Sequence, residues 1–175
     1  MVRLETIDLL KEEIDVAIRA VESVDPGFVA IKLAPNKRAF CASPGYLARH
    51  GQPKRPQELS KHQCVLPAGT QPVHSWAYIA GKSLARVSVK PAFMANNGEL
   101  LRDAIAGDIG IGLLPTFLIY EDLRAGRIVE ILKPYCVQKA WIYAVLPQRK
   151  YVPAKSRALI DFLKARYGTV PYWDL

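Results

Sequence analysis

Residues 96–117, NNGELLRDAIAGDIGIGLLPTF, carry a helical pattern that runs straight into a strand pattern, and that order restricts the folds open to the chain. Asn97 suits a helix N-cap, and Glu99 falls in the first turn, where the helix dipole favours a carboxylate. Leu100, Leu101, Ala104 and Ile105 form one apolar stripe. Gly107 is expected as a left-handed C-cap and residues 109–114 as a buried strand. With Gly110 and Gly112, that places three glycines at the joint. A phosphate-cradling loop puts its glycines between a strand and the start of the following helix, so that amide N–H groups point at the phosphate. Here the order is reversed and the lysine and Ser/Thr of a P-loop are missing. Gly110 and Gly112 read instead as places where a strand lies close to neighbouring backbone.

The same alternation extends along the chain. Leu4, Ile7, Leu10 and Ile14 have helical spacing, and residues 15–19 turn towards a short strand. Strands are expected at Phe28–Leu33 and Arg38–Ala42. Ser43 followed by Pro44 is a helix opening, closed by Gly51, and Pro56 opens a second short helix to Lys61. Further strands are expected at Cys64–Leu66, Trp76–Ile79 and Val87–Val89. After residue 115 the pattern gives a helix over Thr116–Ala125 capped by Gly126, strands at Ile128–Leu132 and Ala140–Leu146, and a terminal helix over Ala154–Tyr167. Leu159, Phe162, Leu163 and Tyr167 are expected to line one side of that helix. Strands alternating with helices favour an α/β fold.

Composition narrows the function. At 175 residues and 50% hydrophobic, the chain can bury one or two small cores. No apolar run reaches the roughly 20 residues of a membrane span, and the charged start has no signal-peptide pattern, so a cytoplasmic protein is expected. Cys41, Cys64 and Cys136 are odd in number and lie in apolar surroundings, which suits reduced core thiols. The net charge of +8 is spread along the chain without aromatic interleaving, a solvated basic surface rather than a nucleic-acid groove. His50, His62 and His74 follow one another at no zinc spacing, and no nucleophile sits with a base, so no metal, no cofactor and no enzyme activity is expected. Two helix openings remain, Ser43 and Asn96–Gly98, each either a plain cap or a position for an anion.

Four stretches carry a resemblance: DLLKEEIDVAIR, LAPNKRAFCASPGYLARHGQPKRPQELSKHQCV, NNGELLRDAIAGDIGIGLLPTFLIYEDLRAGRIVEIL and WIYAVLPQRKYVPAKSRALIDFL. The series S-P-x-Y-L, P-x-x-L-x-x-H-x-C, G-I-x-x-L-P and L-x-x-G-R-I-V-x-x-L, in this order, resembles the effector-binding region of LysR-type transcriptional regulators. The resemblance implies a periplasmic-binding-protein-like (type II) α/β fold, with two α/β subdomains joined by two crossing strands. Residues 1–43 plus 139–175 would form the first subdomain, which would be incomplete, and 44–138 the second. A small effector, a carboxylate among the candidates, would bind in the cleft, lined by Ser43, Asn96, Asn97 and Gly98, with Thr70 and Trp76 as wall residues. The partners implied are that effector and a second copy of the chain, as a homodimer or tetramer. DNA would be bound only through a winged helix-turn-helix that this chain lacks, together with at least one βα unit, on the order of 30 residues. Two other readings stand beside it: a solute-binding protein of a transporter, and a remnant that serves only to dimerise. One departure from the family pattern concerns Asp108-Ile109, which put one extra residue into the usual G-x-G-I.

Overall fold

The computed structural model describes residues 14–69, 74–147 and 152–175. In chain order its strands are β1 (Ala17–Val21), β2 (Phe28–Asn36), β3 (Arg38–Ala42), β4 (Gln63–Pro67), β5 (Ser75–Ala80), β6 (Ser83–Ser88), β7 (Lys90–Ala95), β8 (Ile111–Pro115), β9 (Val129–Ile131) and β10 (Ala140–Pro147). The α-helices are α1 (Pro44–His50), α2 (Gly98–Ala106), α3 (Thr116–Arg124) and α4 (Ala154–Tyr167). The expected helix over residues 4–13 lies outside the described residues. The chain divides into two compact units, one being Arg38–Val137 and the other combining described residues up to Lys37 with Gln138–Leu175.

In the continuous unit a five-stranded sheet has the order β7-β4-β8-β3-β9. β4 runs parallel to β7 and β8, while β3 is antiparallel to β8 and β9. Successive side chains of a strand point to opposite faces, and here both faces are buried. Ala39 and Cys41 of β3 join Val65, Leu101, Ile105, Leu114, Ile119 and Ile128 beneath α2 and α3. Phe40 and Ala42 point the other way, into a core with Tyr46, Leu59, Leu66 and the β5–β6 hairpin residues Trp76, Tyr78 and Val87. This two-sided burial explains why the strands read as continuous apolar runs. Asp122 on α3 binds Arg127 at 2.6 Å and faces Arg102 of α2 at 3.7 Å, joining the two helices electrostatically.

The second unit has β10 between β1 and β2, all antiparallel, with α4 against β2. Its C-terminal residues fold back on α4. Trp173 meets Tyr167 edge to face at 5.0 Å and Tyr172 at 4.9 Å, and Lys37 bridges to Asp174 at 3.4 Å. The buried stripe of α4 differs from the expected one. Ser156 and Ile160 are buried, with Leu163 and Tyr167 half-buried behind them, whereas Leu159 is exposed and Phe162 is 65% exposed. The spacing 156, 160, 163, 167 follows one helix face; residues 159 and 162 lie off it.

Two further expectations are corrected. The C-cap Gly107 has φ −84°, and the left-handed residue is the next one, Asp108, at φ 65°. The extra residue in this turn carries the reversal, and Asp tolerates that conformation better than most residues. β7 lies where no strand was expected, and it contains Pro91. It pairs on one side only, at the edge of the sheet, where a missing N–H is tolerated. All three cysteines are free and buried. Burial pushes the thiols of Cys41 and Cys64 up to about 12 and that of Cys136 up to about 11, so they stay protonated and unreactive near neutral pH.

Candidate functional site

β3 ends at Ala42 and hands the chain to Ser43, which caps α1 by accepting the Tyr46 N–H at 3.1 Å. Ser43 is only 2% exposed. Its hydroxyl donates to Asp108 Oδ1 at 2.5 Å, and the Arg49 guanidinium donates to Asp108 Oδ2 at 2.6 Å. Arg49 is steadied by its own helix, through a bond from Nε to the Gly45 carbonyl at 3.2 Å. Gly45 makes room for this arrangement: a Cβ there would stand 2.6 Å and 2.7 Å from the two Asp108 carboxylate oxygens. Asp108 thus brings a carboxylate of the chain itself to the Ser43 hydroxyl and the Arg49 guanidinium. Sequence reading missed Asp108 and Arg49, although the extra residue after Gly107 was a visible signal.

Asn97 caps α2, its Oδ1 accepting the N–H of Glu99 at 2.7 Å and of Leu100 at 3.3 Å. Gly98 opens the helix against α3: a Cβ there would stand 2.9 Å from Leu118 Cδ2, so the N-termini of α2 and α3 adjoin. Asn96 beside them is exposed, whereas Asn97 is half-buried. Trp76 lies in the core, 7% exposed, with its ring edge-on to Phe40 at 5.7 Å. Thr70 lies outside the described residues.

Sheet register fixes how these positions relate. Cys41 of β3 lies opposite Gly112 of β8 in an antiparallel pair, so Ser43, just past β3, stands at the end where β8 begins. β7 and β4 run parallel, as do β4 and β8, so Asn96–Gly98, just past β7, stand at the end where β8 finishes. Ser43 and Asn97 therefore sit at opposite ends of the sheet, separated by roughly the 13 Å length of a nine-residue helix.

A cavity of about 390 Å³ opens beside α1, lined by Tyr46, His50, Pro53, Glu58, Lys61 and His62 among others. The His50 ring stacks on Tyr46 at 4.5 Å, and His62 Nδ1 lies 3.2 Å from the Tyr46 hydroxyl, which also accepts the Gln63 N–H at 3.0 Å. No group of three or more His, Cys, Asp or Glu that could hold a metal is found among the described residues. Burial lowers the pKa of His62, the nearby His50 lowers it further, and Glu58 opposes them. A histidine whose folded pKa is depressed binds protons more readily when unfolded. Its contribution is therefore intact above the unfolded value and is lost as pH falls through about 6.5. Thermal melts between pH 8 and pH 5 should show a small loss of stability that His62→Gln reduces; an unchanged pH slope in that variant would refute the assignment.

The LysR substrate binding domain family matches residues 2–168. The HTH-type transcriptional regulator CrgA of Neisseria meningitidis serogroup C is 32% identical over 163 residues, covering 93% of this chain and 54% of that protein. The structure of the CrgA regulatory domain from Neisseria meningitidis matches with a TM-score of 0.78 at 30% identity, over 91% of this chain and 78% of that domain. The full-length Vibrio cholerae virulence activator AphB also gives 0.78, at 28% identity, over 94% of this chain and 56% of that one. The chain spans about half the length of the curated relatives it matches. No helix among the described residues is long and apolar enough to cross a membrane. The α/β fold is the periplasmic-binding-protein-like type II fold of these regulatory domains. By its family match and by a fold shared with transcriptional regulators, the chain belongs to the LysR substrate-binding domain family, a regulatory ligand-binding module and not an enzyme.

Proposed function

We propose that the chain is the effector-sensing and oligomerising part of a cytoplasmic LysR-type transcriptional regulator, and that its effector is a small carboxylate held by Asn96, Asn97 and Gly98. The observation that carries the reading is the family match across residues 2–168. The direction of the strands supports this place for the ligand. Open α/β sheets bind ligands beyond the carboxyl ends of their parallel strands, and β4, β7 and β8 are such strands. At that end α2 and α3 both begin, side by side, and helix N-termini favour an anion through unpaired amides and the helix dipole. A carboxylate is the effector chemistry this arrangement suits. In the intact regulator, DNA contact would belong to a winged helix-turn-helix outside this domain, and ligand binding would act on the dimer or tetramer that carries it.

A thermal-shift panel of aliphatic and aromatic carboxylates tests the reading. At a hundredfold excess over its dissociation constant, a bound ligand stabilises by about 2.7 kcal/mol, a rise of roughly 5–10 °C for a chain of this size. Asn97→Asp is the informative variant. Asp caps a helix as well as Asn does, so the ligand-free melting temperature should hold, while the added charge should abolish the shift. Absence of stabilisation by any carboxylate would leave only the oligomerising role, and a shift that persists in Asn97→Asp would move the ligand elsewhere.

A further inference from the structure

We propose that Ser43 and Arg49 form a second ligand position, for a small carboxylate, that the chain keeps filled with its own Asp108. The position has the parts of a carboxylate receptor. Ser43 Oγ already accepts the Tyr46 N–H, which directs its own proton towards Asp108 Oδ1. Arg49, held by the Gly45 carbonyl, presents a charged donor to Oδ2. Gly45 forms a floor on which any side chain would collide with the bound carboxylate. Ser43 is the N-cap of α1, Gly45 its second residue and Arg49 its sixth, so the short helix sets the spacing of the three. The binding groups are a buried hydroxyl and a guanidinium.

Asp108 fills this receptor from a turn rather than from a regular element. Its φ of 65° is one that side-chain-bearing residues rarely adopt, and its side chain is 37% exposed, so solutes in water reach it. A free carboxylate making the same two contacts would exchange with Asp108 and release the turn between α2 and β8. A tethered group competes at an effective concentration in the millimolar range, so exchange in the wild-type chain should require high ligand concentrations. The site stands at the opposite end of the sheet from Asn97, so it does not depend on the effector proposal.

Asp108→Gly tests this directly, because glycine keeps the left-handed backbone and removes only the occupant. The probe is sodium acetate, with sodium chloride at equal ionic strength as the control. At ten times its dissociation constant, acetate should raise the melting temperature of Asp108→Gly by about 3–6 °C over chloride. The acetate concentration giving half the shift should be at least about tenfold lower than in wild type. The double variant Asp108→Gly/Gly45→Ala puts a methyl where the carboxylate sits and should lose the response. Should Asp108→Gly fail to fold, Asp108→Asn carries the same test, since Asn accepts the backbone angle and weakens the hold on Arg49. Equal shifts with acetate and chloride in the folded Asp108 variant, or a response that survives Gly45→Ala, would overturn the proposal. Success here with failure of the Asn97 panel, or the reverse, separates the two sites.

Discussion

Gly110→Ala is expected to destabilise the chain by about 3 kcal/mol, the upper part of the usual range for forcing a methyl into a filled space. The added Cβ would stand 2.5 Å from the Gln63 carbonyl oxygen, 2.8 Å from its carbon and 3.2 Å from the Cys64 nitrogen. All three are backbone atoms of a paired strand, so no side chain can swing aside to relieve the contact. β4 and β8 would have to separate where Cys64 and Ile111 begin their pairing. Urea denaturation should show a large fall in midpoint at nearly unchanged slope. A loss below about 1 kcal/mol would mean that the two strands are less closely set than they stand here.

Trp76→Ala is expected to cost about 3–5 kcal/mol. The ring is buried, lies opposite Val87 across the hairpin, and meets Phe40 edge to face. Its removal would open a cavity between hairpin and sheet that neither element can close without breaking its own pairing. Trp76→Phe should keep most of the stability, because it preserves an aromatic edge contact and much of the volume. Equilibrium unfolding of both variants checks this. A nearly neutral alanine variant would instead mark Trp76 as a surface kept for contact with a ligand.

Local signals in the sequence translated well into local structure. Ser43 before Pro44 and Asn97 before Gly98 both open helices, and Gly110 follows from the close approach of two strands. Caps depend on residues within one turn of each other, so a linear reading can find them. The errors arose where a distant partner decides. β7 survives its proline because of its place in the sheet, and the buried face of α4 is chosen by β2. The Ser43–Asp108 bond joins residues 65 positions apart, and no periodicity announces it. The same holds for the candidate site. Ser43 and Asn97 resemble each other as cap residues, and only the direction of the strands puts them at opposite ends of the sheet.

The course of β10 has a consequence for biosynthesis. Its two neighbours, β1 and β2, come from the first part of the chain, whereas β10 itself comes after residue 139. On the ribosome, β1 and β2 would emerge early and wait without their middle strand, while Arg38–Val137 could complete every pairing of its own sheet. The nascent polypeptide would thus carry unzipped, partly apolar strands until β10 has been made. That interval is when a chaperone, or a second nascent copy, would find those strands available.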